Sequence, residues 1–152
     1  MKPNIEVRQF LRSDLKRVLE IEQASFGADA WDEKLFLAFY RKCPDLFLVA
    51  NVRRHIAGYS ITCAGARNAE LASIAVHPRD RGRCVGQTLL NHTLFQLRAL
   101  RVKTWWLMVE TENEPALRFY EKYGFKREKI VKRYYGAARH AWRMRFTATA
   151  AK

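Results

Sequence analysis

The sequence has no apolar run approaching the roughly 20 residues that a membrane span requires, so it offers no spanning helix. Its opening stretch, MKPNIEVRQFLRSDLKR, lacks the apolar segment of a signal peptide. Cysteine is scarce: Cys43, Cys63 and Cys84 make an odd count with no CxxC pair. Both features favour a reducing cytoplasm, and no metal site is expected. Nor is there an internal repeat or a low-complexity linker, so residues 1–152 read as one domain with enough material for its own core.

Acidic residues are few beside basic ones, 15 against 28, which leaves a net charge of +13. The imbalance is local. Residues 1–76 carry 11 Lys and Arg against 9 Asp and Glu; residues 77–152 carry 17 against 6. The second half therefore expects a negative partner, whether nucleic acid, a phosphate-bearing cofactor or an acidic peptide. A solvated basic face is the plain alternative.

Hydrophobic periodicity divides the chain into eleven elements. IEVRQF (5–10) alternates as a strand does. Ser13 is placed to cap a first helix and Asp32 a second. LFLVANV (46–52) and AGYSITCAG (57–65), joined by RRHI, read as a hairpin, and ELASIAV (70–76) as a further strand ended by His77-Pro78. Leucines at helical spacing follow. TWWLMVE (104–110) is a strand, Asn113 caps a short helix that Gly124 stops, and 125–135 and 138–146 are the last strands. The order β-α-α-β-β-β-α-β-α-β-β predicts an α/β fold with a mixed sheet and helices on both faces.

Between the strand at 70–76 and the helix that follows lies VHPRDRGRCVGQTLL (76–90). A strand, a glycine-containing turn and a helix start make an anion cradle, because free N–H groups and the helix dipole point at the ligand. The residues match neither GxxxxGK[ST] nor GxGxxG, so the P-loop and Rossmann readings lack their key positions. A pyrophosphate held beside Arg81 and Arg83 is the local reading. A surface loop with incidental arginines is its rival.

RGRCVG after IAVHP resembles motif A of the GNAT acetyltransferases, (Q/R)-x-x-G-x-(G/A), with Arg81 first, Cys84 at the first Gly and Gly86 last. WWLMVETENEPALRFYEKYGFKREKIVKRYY resembles the motif B region of RimI-type N-terminal protein acetyltransferases. SFGADAWDEKLF (25–36) is similar to that group's segment before its second helix. The resemblance covers nearly the whole chain. It implies a GNAT fold: a mostly antiparallel sheet of six to seven strands, with 70–76 and 104–110 splayed around the pantetheine.

By the same resemblance the co-substrate is acetyl-CoA. Ile74, Ala75 and Val76 would bind the pantetheine through their backbone. Arg81, Gly82, Arg83, Cys84, Val85, Gly86 and Gln87 would hold the pyrophosphate, with Asn113 nearby. Tyr120 matches the family's proton donor to the leaving sulfur. Phe26, Trp31, Tyr134 and Tyr135 would bind the acceptor. The acceptor implied is a protein N-terminus, ribosomal proteins among the candidates and the ribosome close by; nucleic acid is not expected as substrate. The family's usual Leu-Glu-Val-Arg is Leu107-Met108-Val109-Glu110 here. Met108 accepts no proton, so Glu110, two residues on and on the same face, is the first choice of base, with His77 or a water chain as alternatives. A GNAT acting on a lysine or a small amine, and a basic nucleic-acid-binding module, are the competing functions.

Overall fold

A computed structural model describes residues 4–148. Its strands and helices run β1 (Ile5–Gln9), α1 (Leu15–Phe26), α2 (Glu33–Lys42), β2 (Phe47–Val52), β3 (His55–Ala64), β4 (Asn68–Val76), α3 (Val85–Ala99), β5 (Thr104–Glu110), α4 (Glu114–Tyr123), β6 (Lys126–Gly136) and β7 (Arg139–Thr147). This is the expected order. The strands form one seven-stranded sheet in the order β1-β2-β3-β4-β5-β7-β6. Pairing is parallel between β4 and β5 and antiparallel for β1–β2, β2–β3, β5–β7 and β6–β7. None of the helices among the described residues is long and apolar enough to cross a membrane.

The caps explain most boundaries. The Asp32 side chain accepts from the Leu35 N–H at 2.9 Å and starts α2. Asn113 accepts from the Ala116 N–H at 3.3 Å and starts α4, which Gly124 ends at φ 128°. Ser13 is not a cap. Arg12–Asp14 instead forms a 3-10 turn, and Asp14 takes the Arg8 guanidinium at 2.7 and 2.9 Å and the Leu11 N–H at 2.8 Å. The β2–β3 turn is shorter than RRHI. Val52 pairs with His55, leaving only Arg53 and Arg54, both left-handed at φ 50° and 75°, as a two-residue hairpin demands.

Residue contacts group the chain into two compact units. The first holds the chain up to Cys63 and Ser73–Gln96. Its core stacks Phe10 on Phe47 at 4.0 Å and sets Phe36 edge-on to Tyr59 at 5.4 Å. A second cluster, Leu48, Ala50, Val52, Ala57, Val85 and Leu89, seats the start of α3. Cys43 and Cys63 form a disulfide across a Cα separation of 5.3 Å. The odd cysteine count concealed this pair, because the β2–β3 hairpin brings together residues 20 apart in sequence.

The second unit holds Ala64–Ala72 and the chain from Leu97. Its centre is Trp105, fully buried and ringed by Tyr123, Phe125 and Phe146. Strand β4 contributes to each unit. Within the second, Asn68–Glu70 pairs with Thr104–Trp106 of β5.

Candidate active site

The arginine turn belongs to the first unit. Pro78–Asp80 makes a single 3-10 turn, and His77 Nδ1 accepts from the Arg79 N–H at 3.2 Å. His77, the second candidate base, is thus occupied as a turn cap. Arg81 reaches back, donating to the Val76 carbonyl at 3.0 Å and to Ser25 Oγ at 3.2 Å. It is a brace between the turn and α1. Arg83 is exposed and lies 3.9 Å from buried Asp80, which also takes His55 Nε2 at 3.2 Å. Arg17, His55, His77, Arg79, Asp80 and Arg83 line a cavity of about 400 Å³ beside the turn.

Gly82 and Cys84 both have positive φ, 77° and 66°. A left-handed backbone suits glycine and strains a residue with a Cβ. Cys84 then serves as the entry to α3: its carbonyl accepts from Thr88 N–H at 3.0 Å and Thr88 Oγ1 at 2.6 Å. Val85 is buried and anchors the helix start, whereas Cys84 and Gln87 are exposed. The first helical N–H groups, those of Val85, Gly86 and Gln87, have no carbonyl a turn earlier to meet. With the guanidinium of Arg83 alongside, these groups fit a pyrophosphate. Ile74 and Val76 pack their side chains on the cluster beneath α3. Gly58 lets β3 approach there, since a Cβ on it would stand 2.8 Å from the Ala75 carbonyl.

The acceptor wall expected from Phe26 and Trp31 also lies in the first unit. Phe26 is 40% exposed, while Trp31 stacks on Phe39 at 4.8 Å. A carboxylate that sequence reasoning missed holds this segment. Glu22 on α1 is buried, accepts the Trp31 N–H at 2.9 Å and takes the Tyr59 hydroxyl, which lies 2.8 Å from Ser73 Oγ. Burial pushes its pKa up, against the pull of these two donors. The signal was present: Glu22 sits on the face of α1 that buries Val18 and Ile21.

In the second unit, Tyr120 on α4 packs edge-on to Phe119 and Phe125 at 5.3 and 5.7 Å. Burial, with a smaller effect from Tyr135, raises its pKa well above the usual phenol range, so the hydroxyl keeps its proton. Tyr134 and Tyr135 are neighbours on β6, and alternation would send their rings to opposite faces. A bulge intervenes. The β6–β7 register shifts between Val131 and Gly136, with Arg133 at φ 60° donating its N–H to His140 Nδ1. The two rings therefore meet at 4.8 Å, and the Tyr135 hydroxyl donates to the Met108 carbonyl at 3.2 Å. Burial first, then Tyr134 and Glu110, pushes the Tyr135 hydroxyl up to about 12.

Glu110 has a partner the strand pattern did not foresee. Arg139 grips its carboxylate with both arms, at 2.8 and 3.1 Å, and lies over the Tyr135 ring at 5.7 Å. A carboxylate held in such a fork is a weak proton acceptor, because the guanidinium favours its charged form. Asn113 is committed as the α4 cap.

The acetyltransferase (GNAT) family profile matches residues 15–125. The chain is 35% identical over 127 residues to the [ribosomal protein bS18]-alanine N-acetyltransferase of Salmonella typhimurium, covering 83% of this chain and 84% of that one. Among solved structures, Ard1 from Thermoplasma volcanium superposes with a TM-score of 0.90 at 28% identity, over 97% of this chain and 99% of that one. The ribosomal-protein-S18-alanine N-acetyltransferase of Escherichia coli does so with 0.87 at 27% identity, over 98% and 97%. Sequence, sheet order and anion turn converge, and the chain belongs to the GNAT family of acetyltransferases.

Proposed function

We propose that this acetyltransferase moves the acetyl group of acetyl-CoA to the N-terminal α-amine of a protein by direct attack. The observation that carries this reading is the bulged β6–β7 hairpin, which turns Tyr134 and Tyr135 together and ties Tyr135 to Met108 on β5. Paired hydroxyls over a strand end suit an extended peptide better than a small amine. The S18-alanine relatives, whose names specify an N-terminal alanine of a ribosomal protein, support a protein acceptor of that kind.

In this reading the N–H groups from Arg81 to Gly86 hold the pyrophosphate and the backbone of Ile74–Val76 the pantetheine. The Val76 N–H is the oxyanion donor. Tyr120 gives its proton to the departing thiolate. Glu110 is assigned to Arg139 and the hairpin rather than to proton transfer. Arg139→Ala should therefore raise the peptide KM about 5- to 20-fold, the cost of one lost charge-assisted contact, and leave acetyl-CoA binding unchanged. A peptide titration at saturating acetyl-CoA checks it; an effect confined to kcat would return Glu110 and Arg139 to the chemistry.

Cys84 supplies a second expectation. Cys84→Gly should stabilise the fold and tighten CoA binding, each by about 1 kcal/mol, because a left-handed residue loses its Cβ on the phosphate side. Saturating CoA should also shield the exposed Cys84 thiol from alkylation. Calorimetry on both forms decides, and weaker binding by the glycine variant would show that the turn exploits the thiol.

Thiol release from acetyl-CoA tests the function itself. A peptide with a free N-terminus should support turnover, and the same peptide blocked at that amine but keeping an internal lysine should not. Equal rates would favour the lysine reading.

A further inference from the structure

We propose that Glu70 is the proton acceptor for the incoming amine. This rests on the N-terminal transfer reading above. The parallel register sets Glu70 opposite Trp106, so both side chains share a face of the sheet, and Met108 is the next β5 residue on that face. Glu70 is half-buried. It therefore stands one step along the sheet from the position where Met108 replaces the expected acid.

The acceptor-binding side chains converge on the same place. Tyr135 bonds the Met108 carbonyl, its ring touches Tyr134, and the Tyr134 hydroxyl has its pKa raised by burial and then by the charge of Glu70. Tyr120 in turn feels Tyr135. A carboxylate, a peptide-binding tyrosine pair and a proton-keeping phenol thus occur together within one unit. The other charges on this face are accounted for. Arg143, across from Met108, lies 4.3 Å over the Trp106 ring and pairs with Glu128 at 3.3 Å. Arg145, across from Trp106, pairs with Glu128 at 3.2 Å. Lys129 lies across from Arg143. Glu110 is held by Arg139.

The proton balance closes. The α-ammonium, with a pKa near 8, loses one proton to solvent. The neutral amine attacks the acetyl carbonyl, and as the C–N bond forms its nitrogen becomes strongly acidic. Glu70 takes that proton, directly or through one water. The C–S bond breaks and the thiolate takes the proton of Tyr120. Solvent carries the proton from Glu70 back to the Tyr120 oxygen, so the net release is one proton per acetyl transferred.

The test is kcat/KM against pH for Glu70→Gln and Glu110→Gln, using a peptide with a free α-amine and one with that amine blocked. Glu70→Gln should lose about 30- to 100-fold at pH 7, and the deficit should shrink as pH approaches 9.5, where hydroxide replaces the carboxylate. Glu70→His should recover part of the rate on a limb rising near pH 6.5, the ordinary imidazole range. Glu110→Gln should keep the wild-type profile shape. Acetyl-CoA affinity and melting temperature report folding, and Glu70→Asp and Glu70→His carry the test if the Gln form does not fold. A pH-independent change in Glu70→Gln, or a deficit that appears in Glu110→Gln instead, overturns the proposal while leaving N-terminal transfer standing. A wild-type enzyme inactive on the α-amine overturns both.

Discussion

Tyr120→Phe is expected to lower kcat about 100-fold or more, the usual worth of a positioned general acid, and to leave the acetyl-CoA dissociation constant within about twofold. The ring remains, so its edge-on contacts with Phe119 and Phe125 survive and α4 keeps its packing. Only the proton is lost. That proton is well kept in the native enzyme, because burial holds the hydroxyl far above its ordinary pKa. An acid of this kind stays loaded across the working pH range and gives way only to a forming thiolate. Single-turnover rates at saturating substrates make the measurement. A phenylalanine variant with the wild-type chemical rate removes Tyr120 from the reaction.

Glu22→Ala is expected to cost about 2–3 kcal/mol of stability, since it strands the buried Trp31 N–H and opens space under α1. It should also loosen the Phe26–Trp31 segment and raise the peptide KM. Glu22→Gln separates charge from shape. Glutamine still accepts from Trp31, while Tyr59 donates to Ser73 instead. The folded pKa of Glu22 lies above its unfolded value near 4.5, so the native state binds the proton more tightly. Its contribution is therefore fully present below that unfolded value and is lost as pH rises through the folded one. Asp14 has the opposite sign. Its hydrogen-bonded pairing with Arg8 lowers its pKa, and its contribution is lost as pH falls. The glutamine variant should flatten the neutral-side decline and leave the acid limb in place. Urea titrations at several pH values check this; a variant that declines like the wild type would show that Glu22 is not the titrating group.

Periodicity and caps carried most of the architecture. Asp32, Asn113 and Gly124 do in the structure what their types and spacing promise. Local chemistry suffices there, because a cap needs only a side chain and an N–H three residues away. The misses are non-local. Ser13 lost its helix to Asp14 because Arg8, on the preceding strand, draws that carboxylate into the turn. Cys43 and Cys63 meet through a hairpin that no cysteine spacing encodes. At the site, the anion turn was legible as a motif, and the positive φ of Cys84 is the strain its departure from glycine implied. Glu110 looked like a base because strand alternation gives a face and not a partner; Arg139, 29 positions on, supplies the partner. Glu70 was invisible for the same reason, since only the parallel register sets it beside Met108.

The most direct measurement is tandem mass spectrometry of a peptide library, each member carrying a free α-amine and one internal lysine, after incubation with acetyl-CoA and this protein. The account predicts acetyl on the N-terminal residue alone, with rates that depend on the first one or two residues. Acetyl on lysine at comparable rates, or transfer indifferent to the first residues, would contradict it.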